Sequence, residues 1–225
     1  MLKASFVIPV YNDAPYIAEA IDSCLLQTES KIEVVVVDDG STDLTAEIVN
    51  WFIVHDARVR YISLKENKGR SAARNAGNAA ALAPVVFVLD SDDIAHRKRV
   101  QWTLQYFKQH PDVAVAYGDY ELIDGLGQRG NLVKCDQVDW KRAQETKFNG
   151  MGHSTMAFRK YVTIKVQYTG GDYSKMGIDD WKWQVDAHKA GYKFGYLNKT
   201  LGQYRVFDKT RDEKTILVLK EAALK

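Results

Sequence analysis

Carboxylates gather at three points of this chain where an ordered run begins or ends. Val85-Val86-Phe87-Val88-Leu89 delivers Asp90, Asp92 and Asp93; Glu33 to Val37 runs into Asp38 and Asp39; and Asp179-Asp180 stands directly before Trp181-Lys182-Trp183. Clustered carboxylates are costly unless something positive neutralises them, and hard oxygen ligands suit Mg²⁺ or Mn²⁺, ions that also bind phosphates. Each group also has a plainer use as a helix cap. Asp92 or Asp93 could cap a helix starting near His96, and Asp179-Asp180 one running from Trp181 to Ala190 and stopped by Gly191.

The elements that must hold these residues follow from periodicity. Ser5 to Val10, Glu33 to Val37, Val59 to Leu64 and Val85 to Leu89 are short apolar runs, of the kind that form parallel strands covered on both faces. Between them lie helical stretches. One starts around Asp13 and Pro15 and carries Ile17, Ala20, Ile21, Cys24 and Leu25; a second carries Ala46, Val49 and Ile53 behind the Ser41-Thr42-Asp43 cluster; a third, Ser71 to Ala83, is alanine-rich and should pack closely. The alternation predicts an α/β fold whose ligands bind outside the carboxyl ends of the strands, so Asp90, Asp92 and Asp93 are expected to point into a pocket. A helix is expected from about Arg97 to His110, and Val113 to Tyr117 should be a strand leading into a turn or hairpin. Gly127 to Asn149 shows no clean period and reads as a variable loop. Gly152 to Arg159 and Tyr192 to Leu197 read as strands, and Thr215 to Lys225 as a short amphipathic helix.

The 225 residues fit one large domain, and Lys+Arg 31 against Asp+Glu 29 gives +2, so no global basic field argues for nucleic acid. Cys24 and Cys135 lack metal-ligand spacing and are expected as reduced thiols. The N-terminus lacks the features of a signal peptide, and no stretch reaches the roughly 18 apolar residues of a membrane-spanning helix. A cytoplasmic protein is expected, soluble or peripheral at the inner face of the membrane.

Four segments stand in one order: Phe6-Val7-Ile8-Pro9-Val10-Tyr11-Asn12, Val36-Val37-Asp38-Asp39-Gly40-Ser41-Thr42-Asp43, Asn67-Lys68-Gly69-Arg70-Ser71-Ala72-Ala73-Arg74-Asn75-Ala76-Gly77, and Leu89-Asp90-Ser91-Asp92-Asp93. Together they resemble family 2 glycosyltransferases of the GT-A fold, over roughly residues 3 to 206. The resemblance implies a mostly parallel central sheet flanked by helices, with a small antiparallel element in the C-terminal half. It implies one domain over residues 1–210, with a nucleotide-binding half to about residue 95, an acceptor half from 96 to 210, and a helical tail at 211–225. The implied activity is inverting transfer of a hexosyl or N-acetylhexosaminyl group from a nucleotide-diphospho-sugar, a UDP-sugar above all, with Mn²⁺ or Mg²⁺ on the diphosphate. The acceptor would be a hydroxyl of a glycan, a lipid-linked sugar or a protein, as in polysaccharide biosynthesis.

The resemblance also assigns residues. Pro9, Val10 and Tyr11 correspond to the wall for base and ribose, with Asp13 and Ser91 beside them, and Asp39 to the carboxylate that accepts the uracil N–H. Lys68, Arg70 and Arg74 would lie near the phosphates. Asp92 resembles the direct metal ligand of an Asp-x-Asp motif, and Asp90 the residue touching ribose or metal-bound water. Asp180 matches the general base, Asp179 stands where the family usually has an acceptor-contacting glutamate, and His153 and Trp181 fall on the acceptor side. One departure is plain: many relatives end in Tyr-Arg-x-His, whereas this chain reads Tyr204-Arg205-Val206-Phe207-Asp208. Phe207 cannot ligate a metal, so Asp208, or water and donor phosphates, is expected to complete the shell.

Two other classes compete. A nucleotide-sugar or glycan-binding module that has lost turnover is suggested by Phe207 and Asp179, and opposed by the retention of both Asp92 and Asp180. A sugar-phosphate nucleotidyltransferase should carry a glycine-rich basic loop after the first strand, where this chain has Tyr11-Asn12-Asp13-Ala14-Pro15. A dinucleotide dehydrogenase is excluded because no G-x-G-x-x-G follows a strand. The sequence leaves peripheral membrane contact and homo-oligomerisation open.

Overall fold

The computed structural model of the chain describes residues 1–148 and 150–207. Strands β1 (Ala4–Val10), β2 (Ile32–Asp38), β3 (Val59–Ser63) and β4 (Val85–Val88) alternate with helices α1 (Ile17–Leu25), α2 (Thr45–His55) and α3 (Arg70–Ala80). They lie side by side in the order β3-β2-β1-β4, all parallel. Every residue of β1 and β2 is buried, the reason both read as unbroken apolar or β-branched runs. Glu33 is an exception that β2 accommodates. Its carboxylate accepts from the Ser5 hydroxyl at 2.6 Å, the Leu82 N–H at 2.6 Å and Arg60 at 2.7 Å, so the buried charge is fully partnered.

The chain continues through β5 (Ile94–Ala95), α4 (Arg99–Gln109), β6 (Val113–Ile123), β7 (Arg129–Val133), α5 (Trp140–Thr146), β8 (Ala157–Arg159), α6 (Asp172–Lys175), α7 (Asp179–Lys189) and β9 (Lys193–Arg205). The same sheet extends as β4-β8-β6-β9-β5, with β7 paired to β6. β8 runs antiparallel to both β4 and β6, and β9 runs parallel to β6. Two large core clusters cover the sheet. Phe6, Ile8 and Val10 of β1 face α1 and α2, while Val7 joins Val86, Val88 and Trp183 on the opposite face. On that second face α3 lies close to the sheet through Ala73 and Gly77; a Cβ at Gly77 would sit 2.3 Å from Val7 Cγ1 and 3.1 Å from Val37 Cγ2.

Several expectations need correction. The region expected as a loop from Gly127 to Asn149 contains β7 and α5. Four of the five residues of β7 are exposed, so the edge strand carries no apolar alternation, and α5 is held from outside by Trp140 stacking on His188 at 4.2 Å. The strand expected from Gly152 shrinks to Ala157–Arg159 behind a 3₁₀ turn at His153–Thr155, whereas the strand expected to end at Leu197 runs to Arg205 through exposed polar residues. In α2 the core position belongs to Phe52, and Ile53 is 36% exposed. Cys24 and Cys135 are free and buried. Among the described residues no helix is long and apolar enough to cross a membrane. Asp208 and the tail expected to be helical lie outside the described residues.

Candidate active site

The carboxyl ends of β1, β2 and β4 meet at one cleft of about 450 Å³, whose lining includes Pro9, Val10, Tyr11, Asp13, Asp39, Arg70, Arg74, Asp90, Ser91 and Asp92. The tips of β1 and β2 are tied together: the Asn12 side chain accepts the Thr42 N–H at 2.7 Å, and the Ser41 hydroxyl accepts the Asn12 N–H at 2.9 Å. Two adjacent acids at the end of β2 divide their work. Asp38 accepts the Ser41 N–H at 2.7 Å and the Tyr61 hydroxyl at 2.6 Å, a structural role. Asp39 faces the cleft and accepts the Lys68 and Gly69 N–H groups at 2.7 and 2.8 Å, one on each oxygen, which leaves each oxygen a second lone pair.

The loop after β4 also divides its acids. Asp90 accepts from Arg74 at 2.8 Å. Burial alone would raise its carboxyl, but the Arg74 charge, then His153, the Arg74 hydrogen bond and Arg70, bring it to about 2. Asp92 faces the cleft, and its carbonyl accepts from Arg205 Nε at 2.8 Å. Asp93 turns inward instead of toward the pocket: it is 1% exposed, accepts the Arg205 N–H at 2.8 Å, and is pushed well above the carboxylate range by burial and by Asp92 and Asp90. The Ser91 hydroxyl donates to buried Asp13, which fixes this loop to the start of the segment before α1.

The acid pair that opens α7 likewise splits. Asp179 is 0% exposed, with its carboxylate accepting from Arg74 at 2.8 Å and the Ser71 hydroxyl at 3.0 Å, and with Arg70 Nε at 3.4 Å. A group so enclosed has no surface to offer an acceptor, so the acceptor contact expected of Asp179 is not open to it. Asp180 is half-buried. Burial raises its carboxyl to about 6, helped by Asp179 and Asp90 and opposed by Arg74 and the Trp181 N–H. A carboxyl at that value is ionised at neutral pH yet basic enough to take a proton.

Not every expected residue reaches the cleft: Asp179 and Asp180 lie outside its lining, joined to it through the contacts of Asp179 with Arg70 and Arg74. Lys68 lies outside its lining, with a half-exposed side chain that pairs with Glu66 at 3.4 Å. His153 lies behind the wall, 4% exposed, with Nε2 3.2 Å from the Tyr168 hydroxyl; burial, followed by the Arg74 charge, lowers its ring to about 3 and keeps it neutral. The Trp181 indole donates to the Ala143 carbonyl at 2.8 Å, which joins α7 to α5. Conversely, Lys175, Met176, Gly177, Tyr204, Arg205, Val206 and Phe207 line the cleft. Of these, Tyr204, Arg205, Val206 and Phe207 stood in the C-terminal motif, but only as the setting of a missing histidine. Phe207 packs on Tyr16 with ring centres 5.3 Å apart. Arg205 braces the site, with Nη2 at 2.5 Å from Glu19 and Nη1 at 3.0 Å from the Asp124 carbonyl.

The donors available for a cation are carboxylate oxygens, the chemistry that suits Mg²⁺ or Mn²⁺. Among the described residues no group of three or more His, Cys, Asp or Glu could enclose an ion. With Asp90 bonded to Arg74, Asp92 is the carboxylate of this loop that faces the cleft and would hold such an ion.

Four parallel strands that end in a carboxylate-bearing loop, extended sideways by β8, β6 and β9, define a GT-A fold. TarS of S. aureus, solved in complex with UDP-GlcNAc, superposes with a TM-score of 0.71 at 19% identity over 95% of this chain and 61% of TarS. The mannosyltransferase PcManGT of Pyrobaculum calidifontis, solved with GDP-Man and Mn²⁺, gives 0.67 at 19% identity over 97% of this chain and 60% of its own. Residues 5–166 match the model of the family described as Glycosyl transferase family 2, and the chain belongs to that family. Among curated relatives, the glycosyltransferase GlyA of Streptococcus pneumoniae is 38% identical over 91% of this chain and 30% of its own length. GlyG of the same organism is 40% identical over 53% of this chain and 40% of its own. An uncharacterised glycosyltransferase of Nostoc is 38% identical over 82% of this chain and 56% of its own. The chain thus spans between 30% and 56% of the length of these relatives.

Proposed function

We propose that the chain catalyses inverting transfer of a sugar from a nucleotide-diphospho-sugar to a hydroxyl acceptor, with Asp180 as general base. The observation that carries this reading is the setting of Asp180: a half-buried carboxyl raised to about 6, adjoining Asp179, whose carboxylate accepts from Arg74 of a cleft that is also lined by Asp39, Arg70 and Asp92. The structural neighbours named above are complexes of UDP-GlcNAc and of GDP-Man, which supports the donor class. Within it, a free lone pair on Asp39 favours uridine, whose N3–H it can accept. A base that set an acceptor of its own there would face the Asp39 carboxylate without a hydrogen bond, at about 1–3 kcal/mol.

Asp180 takes the proton of the acceptor hydroxyl while its oxygen bonds to the anomeric carbon, and the bond from that carbon to the diphosphate oxygen breaks on the opposite face. Arg70, half-exposed on the cleft wall, offers its charge to the diphosphate. A bound Mg²⁺ or Mn²⁺, held by Asp92, supplies charge stabilisation for the departing nucleoside diphosphate. Asp208 is retained as a second candidate ligand. The acceptor class, whether glycan, lipid-linked sugar or protein, is tested by assay.

Calorimetric titration of UDP and GDP, with and without Mn²⁺, into the wild type and Asp92→Ala tests the donor site. Cation-dependent UDP binding that Asp92→Ala abolishes supports the reading and leads to a screen of UDP-sugars for transfer. Absence of nucleotide binding under every condition would refute it.

A further inference from the structure

Arg74 is only 4% exposed, although it reaches the cleft, and both ends of its guanidinium are used within the protein. Nη2 donates to Asp90 Oδ1 at 2.8 Å and Nη1 to Asp179 Oδ2 at 2.8 Å. Its Nε is buried without a hydrogen-bond partner among the described residues, and the group lies 5.4 Å from the centre of the Tyr168 ring. Asp90 belongs to the loop that carries Asp92; Asp179 is the first residue of α7 and the neighbour of Asp180. A planar fork can hold two carboxylates at once, which a lysine ammonium on its flexible stem cannot do with the same geometry.

We propose that Arg74 is a positioning residue, a bridge that fixes the loop bearing Asp90 and Asp92 against the start of α7, and that it is not a ligand of the diphosphate. The proposal rests on Asp180 being the base. Donor loop and base come from segments remote in sequence, and this bridge is a direct charged link between the loop and the residue next to the base. A shift of about 1 Å in the placement of a catalytic group is enough to cost on the order of 100-fold in rate. Arg70, by contrast, is half-exposed on the cleft wall, where Lys175 is exposed as well, and both are open to phosphate oxygens.

The test uses Arg74→Lys, Arg74→Met, Asp179→Asn and the double variant Arg74→Lys/Asp179→Asn. The readouts are UDP affinity by calorimetry, kcat and donor KM, and the urea midpoint. A bridge predicts that both Arg74 variants keep the UDP Kd within about threefold while kcat falls about 100-fold at little change in KM, the signature of a lost transition-state placement. It also predicts that the lysine does not restore turnover and that Arg74→Lys and Asp179→Asn couple in stability. The proposal is overturned if Arg74→Met weakens UDP by more than about 30-fold and lysine restores both affinity and turnover, the behaviour of a point charge on phosphate. If Arg74→Met does not fold, the lysine variant decides by the same two quantities. Should the wild type neither bind UDP nor transfer sugar, the functional reading fails by itself, and the stability cycle still judges the bridge: coupling supports it and additivity overturns it.

Discussion

Replacing Gly77 by alanine should destabilise the protein, against the ordinary preference of helices. Alanine gains about 1 kcal/mol over glycine in a helix interior, so an open position would become more stable. Here the new Cβ would stand 2.3 Å from Val7 Cγ1 and 3.1 Å from Val37 Cγ2. Carbon atoms rest at about 3.5–4.0 Å, so α3 would have to lift by more than about 1 Å or Val7 would have to turn away. Neither is easy. Val7 is 2% exposed on a strand hydrogen-bonded on both sides, by β2 and β4, and its β-branched side chain has restricted χ1 freedom. Overpacking of this kind typically costs about 1–3 kcal/mol; an approach as close as 2.3 Å belongs in the upper part of that range, about 2–3 kcal/mol, so after the helix gain we expect a net loss of about 1–2 kcal/mol. In a chain of this size that lowers Tm by about 2–8 °C. Urea unfolding of the wild type, Gly77→Ala, Val7→Ala and the double variant measures it. Removing Val7 Cγ1 should relieve the clash, so the double variant should be more stable than the sum of the singles by about 1 kcal/mol or more. A Gly77→Ala protein at least as stable as the wild type would show that α3 is not seated on β1 as described.

Asp180→Asn should leave UDP affinity nearly unchanged and lower kcat by about 10²–10⁴-fold, the usual worth of a general base; a loss below tenfold in a transfer assay would remove Asp180 from that role. The pH profile follows from burial holding Asp180 at about 6. Because the base must be ionised, kcat/KM should be level above that value and fall about tenfold per unit below it. A profile flat from about pH 5 to 7 contradicts the assignment. Asp39→Ala orphans the Lys68 N–H, leaves the Gly69 N–H only its 3.1 Å bond to the Asn67 side chain, and removes the acceptor facing the base pocket. We expect a stability loss of about 1–2 kcal/mol in urea unfolding and at least tenfold weaker UDP binding by calorimetry; unchanged UDP affinity would place the nucleotide elsewhere.

What the sequence revealed, and what it hid, follows from how each residue is read. Strand tips ending in acid were legible because β1, β2 and β4 are covered on both faces and therefore unbroken in apolar character, so the first polar residue marks the tip. Which acid of a pair stays accessible was not legible. Asp179 and Asp180 are one residue apart, a rotation of about 100° on a helix, and only the packing of α3 against α7 decides that Asp179 is enclosed and Asp180 is not. The same holds for Asp92 and Asp93, which Arg205 sorts from the far end of the chain. The role of Arg74 was hidden for a related reason: its two partners are supplied by segments remote in sequence. β7 and α5 were missed because each touches the protein on one side through few apolar residues, and His153 was misplaced because the polar stretch around it folds into a buried turn.

The three residues of β8 govern where this chain can be divided. β8 covers the edge of β4 and lies between it and β6, while β5, at residues 94–95, sits on the far edge of the sheet beside β9. A fragment ending near residue 95 would therefore leave Val85–Val88, buried in the intact protein, as a bare apolar edge open to pairing with other copies. The two halves are consequently not interchangeable parts. A chimera that swaps acceptor specificity must keep the graft point beyond Arg159, and the family match itself, which closes at residue 166, ends just past that seam.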